Sequence, residues 1–191
     1  MRYLIADILY QFSGKPIQNL VNTDVNRNLK WNTSIKDKSQ IQRLNYLMKT
    51  SKEFRSIFYY RMKHHKFLCF LSRIFLPDIS TIEFGNGGIG GGLMISHYHA
   101  IVYPKKAGKN LRIGPGCVIG RNNGGFPIIG DNVYIAANAT VIGEIHIGDN
   151  VIIGAGSVVT KDIPSNCVYV GNPAHFVKNI DNDDNLLNEI K

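Results

Sequence analysis

The chain reads as a parallel β-helix preceded by an α-helical segment, and its spacing of apolar residues carries that reading. An aliphatic or small apolar residue returns every sixth position through Ile89, Ile95, Ile101, Ala107, Ile113 and Ile119, and again through Ile129, Ile135, Val141, Ile147, Ile153 and Val159. Four positions after such leads come Leu93, Leu111, Cys117, Val133, Ala139, Ile145, Val151, Ser157 and Ile163. Glycine often follows the lead directly, as in Ile113-Gly114 and Ile153-Gly154. A period of six matches neither the 3.6 of a helix nor a long alternating strand. It fits hexapeptides that are each a short strand and a turn. A β-sandwich with accidental spacing is the competing reading.

Each element follows from this pattern. Stacked leads form an inward column, each side chain contributing roughly 1.5–3 kcal/mol on burial. Glycine after the lead suits a corner where backbones approach closely. The interval from Ile119 to Ile129 is ten, one repeat plus a four-residue insertion, so a loop should protrude within Arg121–Ile128. The repeat stops at Lys161-Asp162-Ile163-Pro164, and Cys167–Val170 reads as a closing β segment. The expected organisation is a helical domain over 1–80, a β-helix over 81–170 and a tail over 171–191, with a short helix at Leu186–Ile190 or none.

Before the repeat, Arg2–Phe12 reads as a short helix ended near Ser13-Gly14. Residues 17–37 are rich in Asn and Thr and read as a loop. Ser39 can cap a helix through Lys49, with Ile41, Leu44, Leu47 and Met48 on one face. Ser51 opens a second over Lys52–Lys63, with Phe54, Ile57, Phe58 and Met62 as its stripe. Phe67–Leu76 is an apolar piece that Pro77 terminates, too short to span a bilayer. It can cap the open end of the solenoid or lie on a membrane interface beside His64, His65 and Lys66.

Composition narrows the classes. The net charge is +8, and 14 of the 22 Lys/Arg but only 5 of the 14 Asp/Glu fall in residues 1–78. The basic balance therefore belongs to the helical segment, which permits a peripheral membrane contact or is simply a solvated face. No nucleic-acid partner is expected. Three well-separated cysteines, Cys69, Cys117 and Cys167, fit neither a disulfide framework nor a CxxC metal site, and no leader pattern opens the chain, so a cytoplasmic protein is expected.

Among the histidines, repeat geometry turns His97 outward and His99 inward, and puts His97 and His146 on different faces, so no metal is expected. An outward imidazole on a rigid wall suits a general base, with a carboxylate such as Glu83 to fix its tautomer. A histidine with no role at the surface is the alternative.

Ile89–His97, Pro127–Ile135, Ile153–Asp162 and Gly171-Asn-Pro-Ala174 together resemble the serine acetyltransferases among the hexapeptide-repeat acyltransferases. The resemblance covers roughly residues 80–178. It implies a left-handed parallel β-helix, a homotrimer or dimer of trimers, and acetyl-CoA as acyl donor in a groove between subunits. His97 would deprotonate the acceptor hydroxyl for direct attack on the thioester, with Glu83 as its partner. Ala137 and Ala155 would line the pantetheine arm, and Lys161 would approach the nucleotide phosphates. The chain also departs from the pattern. The acidic position fifteen before the histidine is Ile82, so Glu83 substitutes one residue later; the acidic residue before the histidine is Ser96; and an Arg-His pair in the protruding loop is Gly125-Phe126. A small hydroxyl acceptor or a saccharide fits these changes, a sugar hydroxyl being held by Ser96 and Phe126 through neutral contacts. L-serine, as in cysteine synthesis, is the alternative, although Lys191 follows the Ile190 that would engage a cysteine synthase. A non-catalytic scaffold is the reading from another class.

Overall fold

A computed structural model describes residues 4–181 and resolves two compact units, one of residues 4–80 with Gly91–Met94, the other of Thr81–Gly90 with the chain from Ile95 onward. The expected helix at Leu186–Ile190 lies outside the described residues.

The helical unit contains α1 (Leu4–Phe12), α2 (Lys15–Asn28), a 3₁₀ turn at Thr33–Ile35, α3 (Gln40–Thr50), α4 (Lys52–Arg61) and α5 (Lys66–Phe75). The loop expected over 17–37 is largely helix. Pro16 sits in the first turn of α2, and Val21 and Val25 are buried one turn apart beneath a polar face of Asn and Thr. α3 starts as expected: the Ser39 hydroxyl accepts from the Gln42 N–H, and the Gln42 side chain accepts from the Ser39 N–H in return. Ile41, however, is exposed, leaving Leu44, Leu47 and Met48 as the buried face. α4 is buried on all sides, Arg55 and Tyr59 included, rather than along a stripe. Its Arg61 grips Asp24 of α2 through Nε at 2.8 Å and Nη2 at 3.1 Å. Asp24 Oδ1 also accepts from the backbone N–H groups of Gly92 (2.8 Å) and Leu93 (2.9 Å). Burial pushes the Asp24 carboxyl up while Arg61 and the two N–H groups pull it back.

The second unit is a parallel β-helix wound from three sheets. The first sheet holds β1 (Ile82–Phe84), β4 (Ala100–Val102), β7 (Cys117–Gly120), β10 (Thr140–Ile142) and β13 (Val158–Val159), in that order. The second stacks β2 (Gly88–Ile89), β5 (Lys106–Ala107), β8 (Ile128–Ile129) and β11 (His146–Ile147). The third stacks β3 (Met94–Ile95), β6 (Arg112–Ile113), β9 (Tyr134–Ile135), β12 (Val151–Ile153) and β14 (Cys167–Val170), with β15 (His175–Asn179) antiparallel at its edge. The tail expected from residue 171 thus opens with a turn over 171–174 and continues as a strand.

The inward columns are those the hexapeptide period names: Ile89, Ile113, Ile135, Val141, Ile147 and Ile153 are all buried, as is Cys117. One position departs. Ile101 is 40% exposed, and Ala100 and Val102 point inward in its place. His99 is likewise exposed rather than inward. Ala100 pairs with Cys117, seventeen residues on, whereas Ile82 pairs with Ala100 and Thr140 with Val158, eighteen apart. An extra residue sits between β3 and β4, and one fewer follows between Val102 and Ala107. The insertion expected in Arg121–Ile128 shows as a step of twenty-two from Val118 to Thr140.

The corner between the second and third sheets is held by a side-chain ladder. Asn110 Nδ2 donates to Asn132 Oδ1 (2.9 Å), Asn132 Nδ2 to Asn150 Oδ1 (2.9 Å), and Asn150 Nδ2 to Asn166 Oδ1 (2.7 Å). All four take the left-handed backbone conformation, with φ from 55° to 61°. Asparagine tolerates that region better than other side chains, which is why it recurs there.

Candidate active site

The corner joining the third sheet to the first carries His97, His99, Ala137 and Ala155. Its regular form has one left-handed residue per coil: Gly116 (φ 71°), Asn138 (58°) and Gly156 (67°). Each of these donates its N–H to the coil before: Gly116 to His99 O (2.7 Å), Asn138 to Pro115 O (2.8 Å) and Gly156 to Ala137 O (2.8 Å). The coil that begins this column is longer by one residue, and both His97 (φ 66°) and His99 (φ 61°) take the left-handed conformation. His97, Tyr98 and His99 are all exposed, His99 because of the added residue. The imidazole sits on a bulged corner that heads a column of small residues.

That column brings coil backbones close together. A Cβ on Gly114 would come within 2.6 Å of the Ala137 nitrogen. Ala137 and Gly154 are half-buried, and Ala155 and Gly156 are exposed. Below it, the Cys117 thiol donates to Ala136 O at 3.0 Å, and burial raises its pKa. Cys117 is therefore an inward packing group and no nucleophile.

Ser96 precedes the bulge, half-buried, and its N–H donates to Ile113 O (2.9 Å). Glu83 stands on the outward row of β1, directly paired with Ile101 of β4, and is exposed. Its carboxylate accepts from the Tyr103 hydroxyl at 3.4 Å. Among the described residues no ion pair or hydrogen bond joins Glu83 to His97. Tyr103, which the sequence reading missed, follows β4 on the coil after Glu83. An aromatic placed a coil plus two positions after an outward carboxylate was the available signal.

Phe126 and Lys161 lie at a different corner, where the first sheet passes to the second. The inserted loop closes on itself there through Gly125 N–H to Asn122 O (3.1 Å) and Asn122 N–H to Gly125 O (3.3 Å). Phe126, Phe84 and Tyr103 line a cleft of about 580 Å³, together with Gly87, Pro104 and Lys105. Lys161 is exposed on the last coil, beside a small cavity of about 150 Å³ that Pro173 and Ala174 also line. Within one chain, then, His97, Ser96, Ala137 and Ala155 share a corner, while Phe126 and Lys161 stand across the first sheet from them. His146 is on the second sheet, away from His97. Among the described residues no group of three His, Cys, Asp or Glu is placed to hold a metal ion.

Comparison with known proteins bears on what such a corner belongs to. The family description "Bacterial transferase hexapeptide (six repeats)" matches residues 126–161. Over 124 residues, 61% of this chain, the sequence is 37% identical to the mitochondrial serine acetyltransferase 3 of Arabidopsis thaliana. A crystal structure of Neisseria gonorrhoeae serine acetyltransferase superimposes with a TM-score of 0.70 at 27% identity, covering 92% of this chain and 69% of that one.

The chain is serine-acetyltransferase-like in sequence and in fold.

A second structure of the Neisseria enzyme, in complex with serine, matches at 28% identity and a TM-score of 0.67, covering 87% of this chain and 73% of that one. The serine-acetyltransferase-like chain spans less than half the length of the curated relatives it matches, from 29% to 47% among the first four.

Proposed function

We propose that this protein is an acetyl-CoA-dependent O-acetyltransferase with His97 as general base and L-serine as its acceptor. The observation that carries the reading is the bulged corner, where His97 stands exposed at the head of the small-residue column of Ala137 and Ala155. An outward imidazole beside small, solvent-facing residues suits direct transfer from a thioester. The imidazole takes the proton of the hydroxyl as its oxygen attacks the thioester carbonyl carbon. The C–S bond breaks, and the thiolate of CoA leaves and recovers the proton from the imidazolium. Backbone N–H groups would stabilise the oxyanion formed on the way.

Glu83 is proposed as the group that orients His97, with the Tyr103 hydroxyl fixing the carboxylate in turn. Ala137 and Ala155 would accept the pantetheine arm because a larger side chain would hold it off the backbone. Lys161 would meet the nucleotide phosphates as a point charge. Because His97 and the loop bearing Phe126 occupy different corners of one chain, a site that uses both draws them from neighbouring subunits, as in the expected trimer.

Serine is preferred to the saccharide acceptor because the similar proteins are serine acetyltransferases, one of them solved with serine. One observation favours a sugar as a second reading: three aromatic side chains, Phe84, Tyr103 and Phe126, line one cleft, with Lys105 as the charged residue beside them. The deciding experiment measures CoA release from acetyl-CoA with L-serine, free hexoses and nucleotide sugars as acceptors. Turnover with serine well above the hydrolytic background is expected. Release with a sugar alone would transfer the reading to the saccharide. No acceptor-dependent release at all would favour a non-catalytic scaffold.

A further inference from the structure

We propose that the outward face of α5 docks on an anionic lipid surface. α5 packs in the reverse of the usual sense. Its fully buried residues are the small Cys69 and Ser72, with Leu68 half-buried against the core, while Phe67, Phe70 and Ile74 are 71%, 63% and 61% exposed. Spacings of three and four put those three on one stripe. Phe75, at 49%, widens it. This orientation is fixed from within. The Tyr59 hydroxyl lies 2.9 Å from Ser72 Oγ and donates to Leu76 O at 2.9 Å, and the Cys69 thiol points to Met62 O at 3.3 Å.

Cations border the stripe: Lys63 and Lys66 before and at the start of α5, and Arg73 within it, all exposed, with His64 and His65 between the two lysines. Of these cations, Arg73 is paired with Asp78 at 3.1 Å and lies over the Tyr59 ring. The surrounding segment through residue 78 has 14 basic and 5 acidic residues. A second copy of the same face would set these cations against each other, whereas anionic headgroups complement them while the acyl boundary takes the rings. At ten residues the helix is about 15 Å long, too short to cross a bilayer, so it lies in the interface. The inference is independent of the acetyltransferase reading.

Flotation of the full chain with vesicles tests it. The protein is expected to float with vesicles containing about one third phosphatidylglycerol, and much less with pure phosphatidylcholine or in molar salt. Phe67→Ser with Phe70→Ser should weaken partitioning about tenfold to a hundredfold while leaving the melting temperature unchanged, because both rings are already exposed. A gain-of-signal variant guards against misfolding: with Trp31→Phe, Phe70→Trp should show blue-shifted emission quenched by brominated lipid. Failure to float with anionic vesicles would overturn the proposal. So would a concentration-dependent oligomer abolished by the same double substitution without lipid binding, which would assign the face to a second copy.

Discussion

Replacing His97 in two ways separates its chemistry from its backbone. The residue is exposed, so no burial term enters, but its φ of 66° lies in the left-handed region. Asparagine enters that region readily and alanine does not, at a cost of about 1 kcal/mol. His97→Asn should therefore keep wild-type stability, and His97→Ala should unfold about 1 kcal/mol more easily in urea. Both remove the proposed base, and both should lower acceptor-dependent CoA release by about 10²–10⁴-fold. For a domain of ordinary stability, roughly 5–15 kcal/mol, a loss of 1 kcal/mol leaves the alanine variant more than about 99% folded. Unfolding thus cannot produce a hundredfold fall. Loss of the thioester absorbance reads the rate without interference from the protein thiols. An asparagine variant within about tenfold of wild type would refute the general-base assignment. Equal stability of the two variants would refute the strained-corner argument and leave the chemistry standing.

Other expected outcomes follow from the same structure. At the asparagine ladder, Asn132→Gly loses two side-chain hydrogen bonds and should cost about 1–3 kcal/mol, with Asn132→Ala costing about 1 kcal/mol more because of its left-handed backbone; urea midpoints that rank them in reverse would contradict this. Arg61→Leu strands the buried Asp24 carboxylate and should destabilise the helical unit by about 3–5 kcal/mol, which chemical denaturation would read directly. Burial raises the pKa of Cys69, Cys117 and Cys167, so each holds less thiolate at any given pH than a free thiol. Disulfide-exchange reagents should then label them slowly at pH 8, with onset displaced to higher pH, and rapidly only after denaturation. Gly114→Ala drives a methyl against the Ala137 backbone and should cost about 1–3 kcal/mol, seen as a lowered melting temperature.

Much of the β-helix was legible because a coil repeats its own burial pattern. Each lead is tied to positions six away, so Ile113, Ile135 and Ile153 declare their column without knowledge of the partner strand. The helical segment has no such redundancy. Residues 17–28 looked like loop because asparagines covered their two buried valines, and the Asp24–Arg61 pair spans a separation that no local pattern encodes. The face of α5 was visible as an apolar run, but which side of that run turns to solvent was not.

By itself the sequence determined a wound sheet with an insertion at one place, because period is a local property of the chain. Tertiary structure alone decided the register at His97. The added residue between Ile95 and Val102 and the missing one between Val102 and Ala107 cancel, so the interval from Ile95 to Ala107 still counts as two unbroken repeats. Only hydrogen bonds between coils, Gly116 N–H to His99 O and Ala100 paired with Cys117, locate the slip. Pairing across coils distinguishes two chains of identical period, and here it turns Ile101 and His99 outward.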